Sequence, residues 1–183
     1  MASTLDSVFD IAFWFTDRAL NDNEYLQPSK LQCLLYLSQS YYAGSYNGKK
    51  LFPAIFVAEE TGPIEPSVDR AWAGGRPNFD GIEVLSDDIN VFSDSIWRRF
   101  GHHSVEYLLK LCRRTSAYQV AYKKGIRTEI ILTQMIEDIT IANDLPELKQ
   151  VVRPKIIRSS NTGRSVEVKA WSPPVLNKNK SKT

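Results

Sequence analysis

The sequence predicts a mainly α fold: a compact multi-helix domain with a short β element, followed by a C-terminal β-hairpin or extended basic arm. Three observations lead to this prediction. Apolar residues recur at helical spacing along most of residues 1–145. One β-prone stretch, residues 54–58, interrupts that pattern. Beyond residue 146 the helical spacing gives way to two β-prone segments. With 183 residues, 43% of them hydrophobic, the chain can fill one core, and we place the domains at 1–145 and 146–183.

Two helices open the chain. Ser3 or Thr4 can cap the first, and residues 21–23, Asn-Asp-Asn, end it. Pro28 suits the first turn of the second helix, and Gly44 is expected to end it in a left-handed conformation. The helically spaced positions of the first are Leu5, Val8, Phe9, Ala12, Phe13 and Thr16, and the apolar face of the second is Leu31, Leu34, Leu35 and Tyr42.

The next stretch is less helical. Residues 54–58 favour a short strand, and Thr61-Gly62-Pro63 is typical of a turn because Gly permits positive φ and Pro lacks a backbone donor. A short helix is predicted from Pro66 to Trp72. Residues 73–78 are expected to form a surface loop.

The second half of the body returns to helix. Ser86 and Ser104 are expected to cap two helices separated by a break at Gly101, Gly125 to stop a further segment, and Thr128 to cap a last long helix. The expected inward-facing residues are Ile89, Phe92, Ile96, Trp97 and Phe100 in the first of these helices, Val105, Leu108, Leu109 and Cys112 in the second, and Ile131, Leu132, Met135, Ile136 and Ile139 in the last.

The C-terminal arm differs from the body in charge as well as in pattern. Residues 1–145 carry 14 Lys and Arg against 19 Asp and Glu, a balance of −5, whereas residues 146–183 carry 9 against 2, a balance of +7. Residues 155–158 and 166–171 flank Asn161-Thr162-Gly163, which predicts a hairpin. Residues 177–183 are expected to be a Lys-rich disordered tail.

The sequence offers few residues for chemistry. His102 and His103 are adjacent, so they point in different directions, and no Cys or His ligands at zinc spacing accompany them. We find no phosphate-binding glycine loop and no nucleophile with an evident base. We therefore predict no catalytic residue, no metal, no cofactor and no enzyme activity. Cys33 and Cys112 are expected to be buried free thiols. The absence of a secretory signal and of a long apolar span predicts a cytoplasmic protein with no membrane contact.

Aromatic residues and the basic arm are the features that suit binding. Five tyrosines crowd residues 25–46, and Tyr is a frequent interface anchor, although most of them can equally line the core with their hydroxyls at its rim. Basic residues of the arm suit phosphate or an acidic protein surface. Nucleic acid is the less favoured partner because Trp171 is the only stacking aromatic in the arm.

Three segments resemble the Panacea domain, also called SocA-like. Residues 30–41, Lys-Leu-Gln-Cys-Leu-Leu-Tyr-Leu-Ser-Gln-Ser-Tyr, resemble its Lys-Leu-Gln-x-Leu-Leu-Tyr helix, and residues 56–64 resemble its strand running into Gly-Pro. Residues 108–118 lie where that family often has a Leu-rich turn. The resemblance covers roughly residues 5–140, in the family's order and spacing.

The resemblance implies an antitoxin-like protein-binding module of bacteria or phages that neutralises a cognate toxin by direct contact. An alternative with the same fold is a proteolytic adaptor for a Clp-type protease, or a phage-associated accessory or effector protein with a non-toxin partner. A small enzyme or a nucleic-acid binder is a third possibility. The predicted partner-binding residues are Lys30, Gln32, Tyr36, Gly62, Pro63, Trp72, Arg158 and Trp171.

Overall fold

The structure is a computed structural model that describes residues 3–78, 84–141 and 145–152, together with the backbone of residues 156–158 and 165–167. The chain forms two compact units, Met1–Val152 and Arg153–Thr183. The first unit is mainly helical with a small antiparallel sheet, which confirms the predicted fold class. It extends past residue 145, where the sequence placed the domain boundary.

The first helix, α1 (Val8–Asn21), is capped by Ser7, whose Oγ accepts a hydrogen bond of 3.1 Å from the Phe9 backbone N–H. The prediction of a cap at Ser3 or Thr4 was wrong. Those two residues lie extended beside residues 50–51, where the Thr4 backbone N–H donates to the Lys50 carbonyl at 3.0 Å. Because α1 begins only at Val8, Ser7 occupies the capping position and Ser3 and Thr4 lie outside it.

The second helix, α2 (Pro28–Ser45), begins at the predicted proline and is the centre of the unit. Every residue from Lys30 to Ala43 is buried, so α2 has no solvent-facing side over that stretch. The predicted apolar face of α2 is buried, and so are the residues on its other sides. Two of its buried serines are satisfied within the helix, since the Ser38 and Ser40 hydroxyls donate to the carbonyls four residues earlier at 2.7 and 2.8 Å.

Gly44 does not end α2, contrary to the prediction, because it lies inside the helix. A Cβ at this position would lie 2.9 Å from Leu148 Cδ1 and 3.2 Å from Ile139 Cδ1. The residues that turn left-handed after the helix are Asn47 (φ 52°) and Gly48 (φ 81°). Gly44 therefore permits a close approach of neighbouring side chains.

A three-stranded antiparallel sheet in the order β2-β1-β3 is formed by β1 (Phe56–Glu59), β2 (Gly62–Ile64) and β3 (Thr128–Ile130). The predicted strand near residues 54–58 is confirmed. The turn is made by residues 60–61, while Gly62 and Pro63, predicted in the turn, pair with β1 in an edge strand that tolerates proline. Thr128 does not cap a helix as predicted, because it lies in β3 and its backbone pairs with Ala58 of β1.

Further helices complete the first unit: α3 (Pro66–Trp72), α4 (Asp87–Ile96), α5 (Val105–Arg113), α6 (Ser116–Lys124), α7 (Leu132–Ile141) and α8 (Leu148–Val151). The predicted starts at Ser86 and Ser104 are confirmed, and Gly125 (φ 144°) ends α6. The predicted break at Gly101 takes the form of a π-helical turn, Trp97–Gly101, which follows α4 directly.

Helices α5 and α7 pack against α2 and enclose the core. Cys33 and Cys112 are buried and free, as predicted. The buried Asp138 of α7 fixes the start of α6, since its Oδ1 accepts from the Ser116 N–H at 3.0 Å and its Oδ2 from the Ala117 N–H at 2.8 Å. A carboxylate at this end of a helix also complements the helix dipole.

The second unit contains an antiparallel pair, β4 (Ile156–Arg158) and β5 (Ser165–Glu167), in which Ile157 faces Val166. This agrees with the predicted hairpin. The rest of the predicted second strand, residues 168–171, and the predicted tail, residues 177–183, lie outside the described residues. Within the described part of the chain, no helix has both the length and the apolar character needed to cross a bilayer.

Candidate protein-binding groove

The structure buries most of the residues that the sequence predicted to bind a partner. Those buried in the first unit are Lys30, Gln32, Tyr36, Gly62, Pro63 and Trp72. These six residues therefore do not form an exposed contact surface in the folded chain, and their part in binding stays a prediction. Arg158 lies in β4, and Trp171 lies outside the described residues.

Gln32 connects α2 to the start of α3. Its Oε1 accepts from the Glu65 backbone N–H at 2.7 Å, and its Nε2 donates to the Glu65 carbonyl at 3.3 Å. Glu65 in turn caps α3, because its Oε2 accepts from the Val68 N–H at 2.7 Å. Burial raises the pKa of the Glu65 carboxyl, while the hydrogen bond from Val68 acts in the opposite direction. The role of Gln32 is thus to position α3.

Tyr36 and Lys30 also make internal contacts. The Tyr36 hydroxyl shares a hydrogen bond of 3.0 Å with Thr115 Oγ1, and burial raises the pKa of that hydroxyl well above its ordinary value. Lys30 Nζ lies 3.5 Å from Glu24 Oε2 and 5.8 Å from the ring centroid of Trp97. The positive φ of Gly62 (140°) explains why glycine occupies that position.

The tyrosine cluster divides between core and surface. Tyr36, Tyr41 and Tyr42 are buried, and the Tyr41 hydroxyl donates to the Pro146 carbonyl at 2.7 Å. Tyr25 and Tyr46 are exposed. From the sequence, these tyrosines could line either the core or an interface. The three that lie in α2 are in the core.

A shallow groove, which we call the Trp72 groove, lies between the second half of α1, the connection from α1 to α2, and the end of α3. Its cavity measures about 90 Å³. It is lined by Thr16, Leu20, Tyr25, Leu26, Pro28, Trp72, Gly75 and Arg76. Most of these side chains are apolar.

The connection from α1 to α2 forms one wall of the groove. Asn23 adopts a left-handed conformation (φ 57°) that turns the chain after α1, and Asp22 is held by a 2.8 Å hydrogen bond from Trp97 Nε1. Leu26 is then buried in the core, which leaves the side chain of Tyr25 78% exposed. Tyr25 lies exposed at the rim because the adjacent Leu26 is packed in the core.

The end of α3 forms the opposite wall. Trp72 packs on Phe9 and Phe13, with ring centroids 6.1 and 5.1 Å apart. Gly75 (φ 99°) then turns the chain, and Arg76 forms an ion pair with Asp17 of α1. The two ring contacts of Trp72 join α3 to α1. They hold this wall of the groove in place against α1.

Trp72, which lines the groove, carries a buried and unsatisfied donor. Trp72 is 4% exposed, and its buried Nε1 has no hydrogen-bond partner among the residues that the structure describes. The other two tryptophans in the described part of the chain are satisfied, since Trp14 Nε1 donates to Asn90 Oδ1 at 2.9 Å and Trp97 Nε1 donates to Asp22. A buried donor without a partner costs about 1–3 kcal/mol.

Two wider depressions have more polar linings. One of about 310 Å³ contains Glu59, Glu60 and Asp69, and Arg127 Nη1 lies 3.4 Å from Glu59 Oε1 beside it. Another of about 340 Å³ contains Asp10, Trp14, Asp17, Arg18 and Asn90 among its lining residues. Among the described residues, no group of three or more His, Cys, Asp and Glu side chains is placed to hold a metal ion.

The sequence predicted Trp72 as a contact residue but did not predict the rest of the groove. Leu20, which is 57% exposed, was not singled out, and Tyr25 was noted only as one of a cluster. The available signal was the pair Tyr25-Leu26, two apolar residues within an otherwise polar segment between helices. Arg76 was assigned only to a surface loop, because a contact with Asp17, far earlier in the chain, leaves no local pattern.

Comparison of the chain with protein-family models, with curated proteins and with solved structures finds no match in any of the three. The resemblance to the Panacea domain stays a prediction from the sequence.

Proposed function

We propose that this chain is an antitoxin-like protein-binding module that neutralises a cognate toxin by direct contact, and that the Trp72 groove is the anchor of that contact. The observation that carries the binding role is the exposure of Leu20 and Tyr25 at the rim of an apolar groove. Large apolar side chains grouped around a concave site are typical of protein-binding surfaces.

Size and rigidity support an anchor rather than a complete interface. A stable protein interface buries about 1,200–2,000 Å² in total. A groove of about 90 Å³ can therefore form only one part of a larger interface. Its walls are joined by the Arg76–Asp17 ion pair and by the packing of Trp72 on Phe13, so little order has to be gained on binding.

The antitoxin role rests on the resemblance of residues 30–41 and 56–64 to the Panacea domain. Residues 30–41 are all buried in α2, and the resemblance therefore concerns the scaffold.

Co-expression with the product of the adjacent reading frame tests the proposal. We expect that product to stop growth when it is expressed alone and to be tolerated when this chain is present. The double variant Leu20→Lys, Tyr25→Lys is expected to lose the rescue while remaining folded, because both side chains are exposed. Val91→Lys, at an exposed apolar position of α4, is the matched control and should rescue normally.

A neighbouring product that is harmless alone would overturn the antitoxin proposal. Capture of a protease as the dominant partner would favour the adaptor alternative instead. Normal rescue by the double variant would remove the groove from the proposal and leave the antitoxin role in place.

A further inference from the structure

We propose that the exposed faces of α5 and α6 form a second binding surface, which takes single-stranded nucleic acid through its phosphate backbone and its stacked bases. We call it the α5–α6 surface and define it by six exposed residues: Tyr107, Lys110, Arg113, Tyr122, Lys123 and Lys124. It shares no residue with the Trp72 groove, so it stands independently of the antitoxin role.

The first step is the distribution of charge within the body. Residues 97–127 carry 8 Lys and Arg against one acid, Glu106, a balance of +7. The rest of residues 1–145 carries 6 against 18, a balance of −12. The overall balance of −5 therefore conceals one strongly basic segment, which comprises the π-helical turn, α5 and α6. A concentrated positive charge of this kind attracts polyanions.

The second step is that the fold arranges these side chains in a continuous stripe. On α5, Lys110 and Arg113 follow Tyr107 at steps of three residues, which makes them neighbours on the helix surface. Where α5 meets α6, the Arg113 side chain forms a hydrogen bond with Tyr118. The Tyr118 ring stacks on Tyr122, with centroids 5.6 Å apart, and so continues the stripe along α6.

The third step is that the lysines of the surface are available. Among the described residues, no acid lies within ion-pair distance of Lys110, Lys123 or Lys124. Two other cations of the basic segment are paired with acids and are left out of the surface. These pairs are Arg98–Asp94 and Arg127–Glu59. A polyanion therefore meets lysines whose charge is not already neutralised.

Composition favours nucleic acid over an acidic protein as the occupant. Lysine is depleted in protein interfaces, whereas phosphate groups are bound by Lys and Arg alike. Two rings are exposed among the cations: Tyr107 is 47% exposed and stacks on His103 with centroids 4.3 Å apart, and Tyr122 is 39% exposed. Unpaired bases stack on exposed aromatic rings beside cations, so the surface suits a single strand.

Fluorescence anisotropy of a labelled single strand of about 20 nucleotides, mixed with the full chain, tests the inference. The strand is supplied as DNA and as RNA, and the one that binds more tightly identifies the natural class. We expect binding to weaken steeply as the salt concentration rises from about 50 to 200 mM, because phosphate contacts release counterions. Absence of binding at about 50 mM salt for both strands would overturn the inference.

Two triple variants locate the phosphate contacts. Lys110→Gln, Lys123→Gln, Lys124→Gln should bind at least about tenfold more weakly at about 0.1 M salt, and the slope of log affinity against log salt should shrink by about 2. Glutamine is a good helix former, so circular dichroism should not change. Lys178→Gln, Lys180→Gln, Lys182→Gln removes the same charge near the C-terminus and should cost less than about threefold, because distant charges are screened. An equal or larger loss in this control would contradict the assignment to α5 and α6.

Tyr107→Ala tests the stacking contact. We expect it to weaken binding of the single strand about fivefold or more and to leave binding of a duplex of the same sequence unchanged, because bases in a duplex are already stacked. Tyr25→Ala, at an exposed tyrosine of the Trp72 groove, is the matched control and should bind normally. Polyglutamate that binds as tightly as the nucleic acid, together with no loss from Tyr107→Ala, would assign the surface to an acidic protein and overturn the inference.

Discussion

At the scale of single residues, Gln32 is the clearest case of a side chain whose role is set by its partners. A glutamine in the middle of an apolar helix could face a binding partner or satisfy another part of the fold. The structure directs both ends of its amide to the backbone of Glu65, next to the first turn of α3. This position explains why a buried polar residue is tolerated in α2.

We expect Gln32→Leu to lower the free energy of unfolding by about 1–3 kcal/mol, because it leaves the buried Glu65 N–H without its acceptor, while the Glu65 carbonyl keeps the hydrogen bond from the Asp69 N–H. Urea denaturation followed by circular dichroism measures the change. Gln119→Leu is the matched control, since Gln119 is exposed and makes only a long contact of 3.4 Å with the Arg113 carbonyl. A similar small effect from both substitutions would show that the Gln32 amide is not needed for stability.

Glu65 links stability to pH. Burial raises the pKa of its carboxyl above the ordinary value of 4.5. A carboxyl with a raised pKa binds its proton more tightly in the folded chain than in the unfolded one. Its contribution to stability is therefore fully present below pH 4.5 and is lost as the pH rises through the raised pKa.

Glu65→Gln keeps an acceptor for the Val68 N–H but does not titrate. We expect the stability of the variant relative to the wild type to increase between about pH 4 and about pH 7. Urea denaturation of both proteins at the two pH values measures this difference, and the other titrating groups cancel because they are common to both. A relative stability that falls over this range would contradict the assignment.

At the scale of elements, the π-helical turn after α4 shows how one glycine allows a local rearrangement. Gly101 is buried, and a Cβ there would lie 2.5, 2.7 and 2.8 Å from three atoms of the Trp97 indole. The indole is itself fixed by its hydrogen bond to Asp22. The turn therefore depends on the missing side chain at Gly101 as much as on any contact that is present.

We expect Gly101→Ala to destabilise the protein by about 1–3 kcal/mol, because a rigid buried ring cannot move away from the added methyl group. Gly74→Ala is the control, since apart from the adjacent residues no atom of the described part of the chain lies within 4 Å of a Cβ at that position. Thermal unfolding of the two variants beside the wild type measures the difference. Equal midpoints for the two variants would show that the Trp97 ring can relocate at little cost.

At the scale of the whole molecule, the described core extends to Val151. This buried residue is the last one of α8. The Pro146 carbonyl also accepts the hydrogen bond from the buried Tyr41. Residues 146–152 thus complete the first unit, although the sequence grouped them with the basic arm. Among these mostly polar residues, Val151 is buried in the core and Val152 packs against it.

Two truncations test this boundary. A chain ending at residue 152 is expected to unfold cooperatively with a midpoint close to that of the full chain. A chain ending at residue 145 should lose about 3 kcal/mol or more, because it gives up the burial of Val151 and leaves the Tyr41 hydroxyl without its acceptor. Urea denaturation measures both, and equal stability of the two truncated chains would place the boundary back at residue 145.

The sequence by itself determined the features that depend on neighbours along the chain. Helical spacing predicted the helices, Ser86 and Ser104 marked two of their starts, and the β-prone residues near Val57 predicted a strand. These predictions succeeded because caps, turns and periodic faces are set by residues only a few positions apart. The same reasoning failed for Thr128, whose capping tendency was overridden by pairing with Ala58, a partner far away in the sequence.

Only the tertiary structure decided which side chains remain available to a partner. Lys30, Gln32 and Trp72 were plausible contact residues until packing enclosed them, while Leu20 and Tyr25 stayed exposed. Exposure depends on what packs against each side chain, and in this protein the neighbours come from α1, α2 and α3 together. The groove and its unsatisfied indole donor are therefore properties of the folded chain that no local pattern carries.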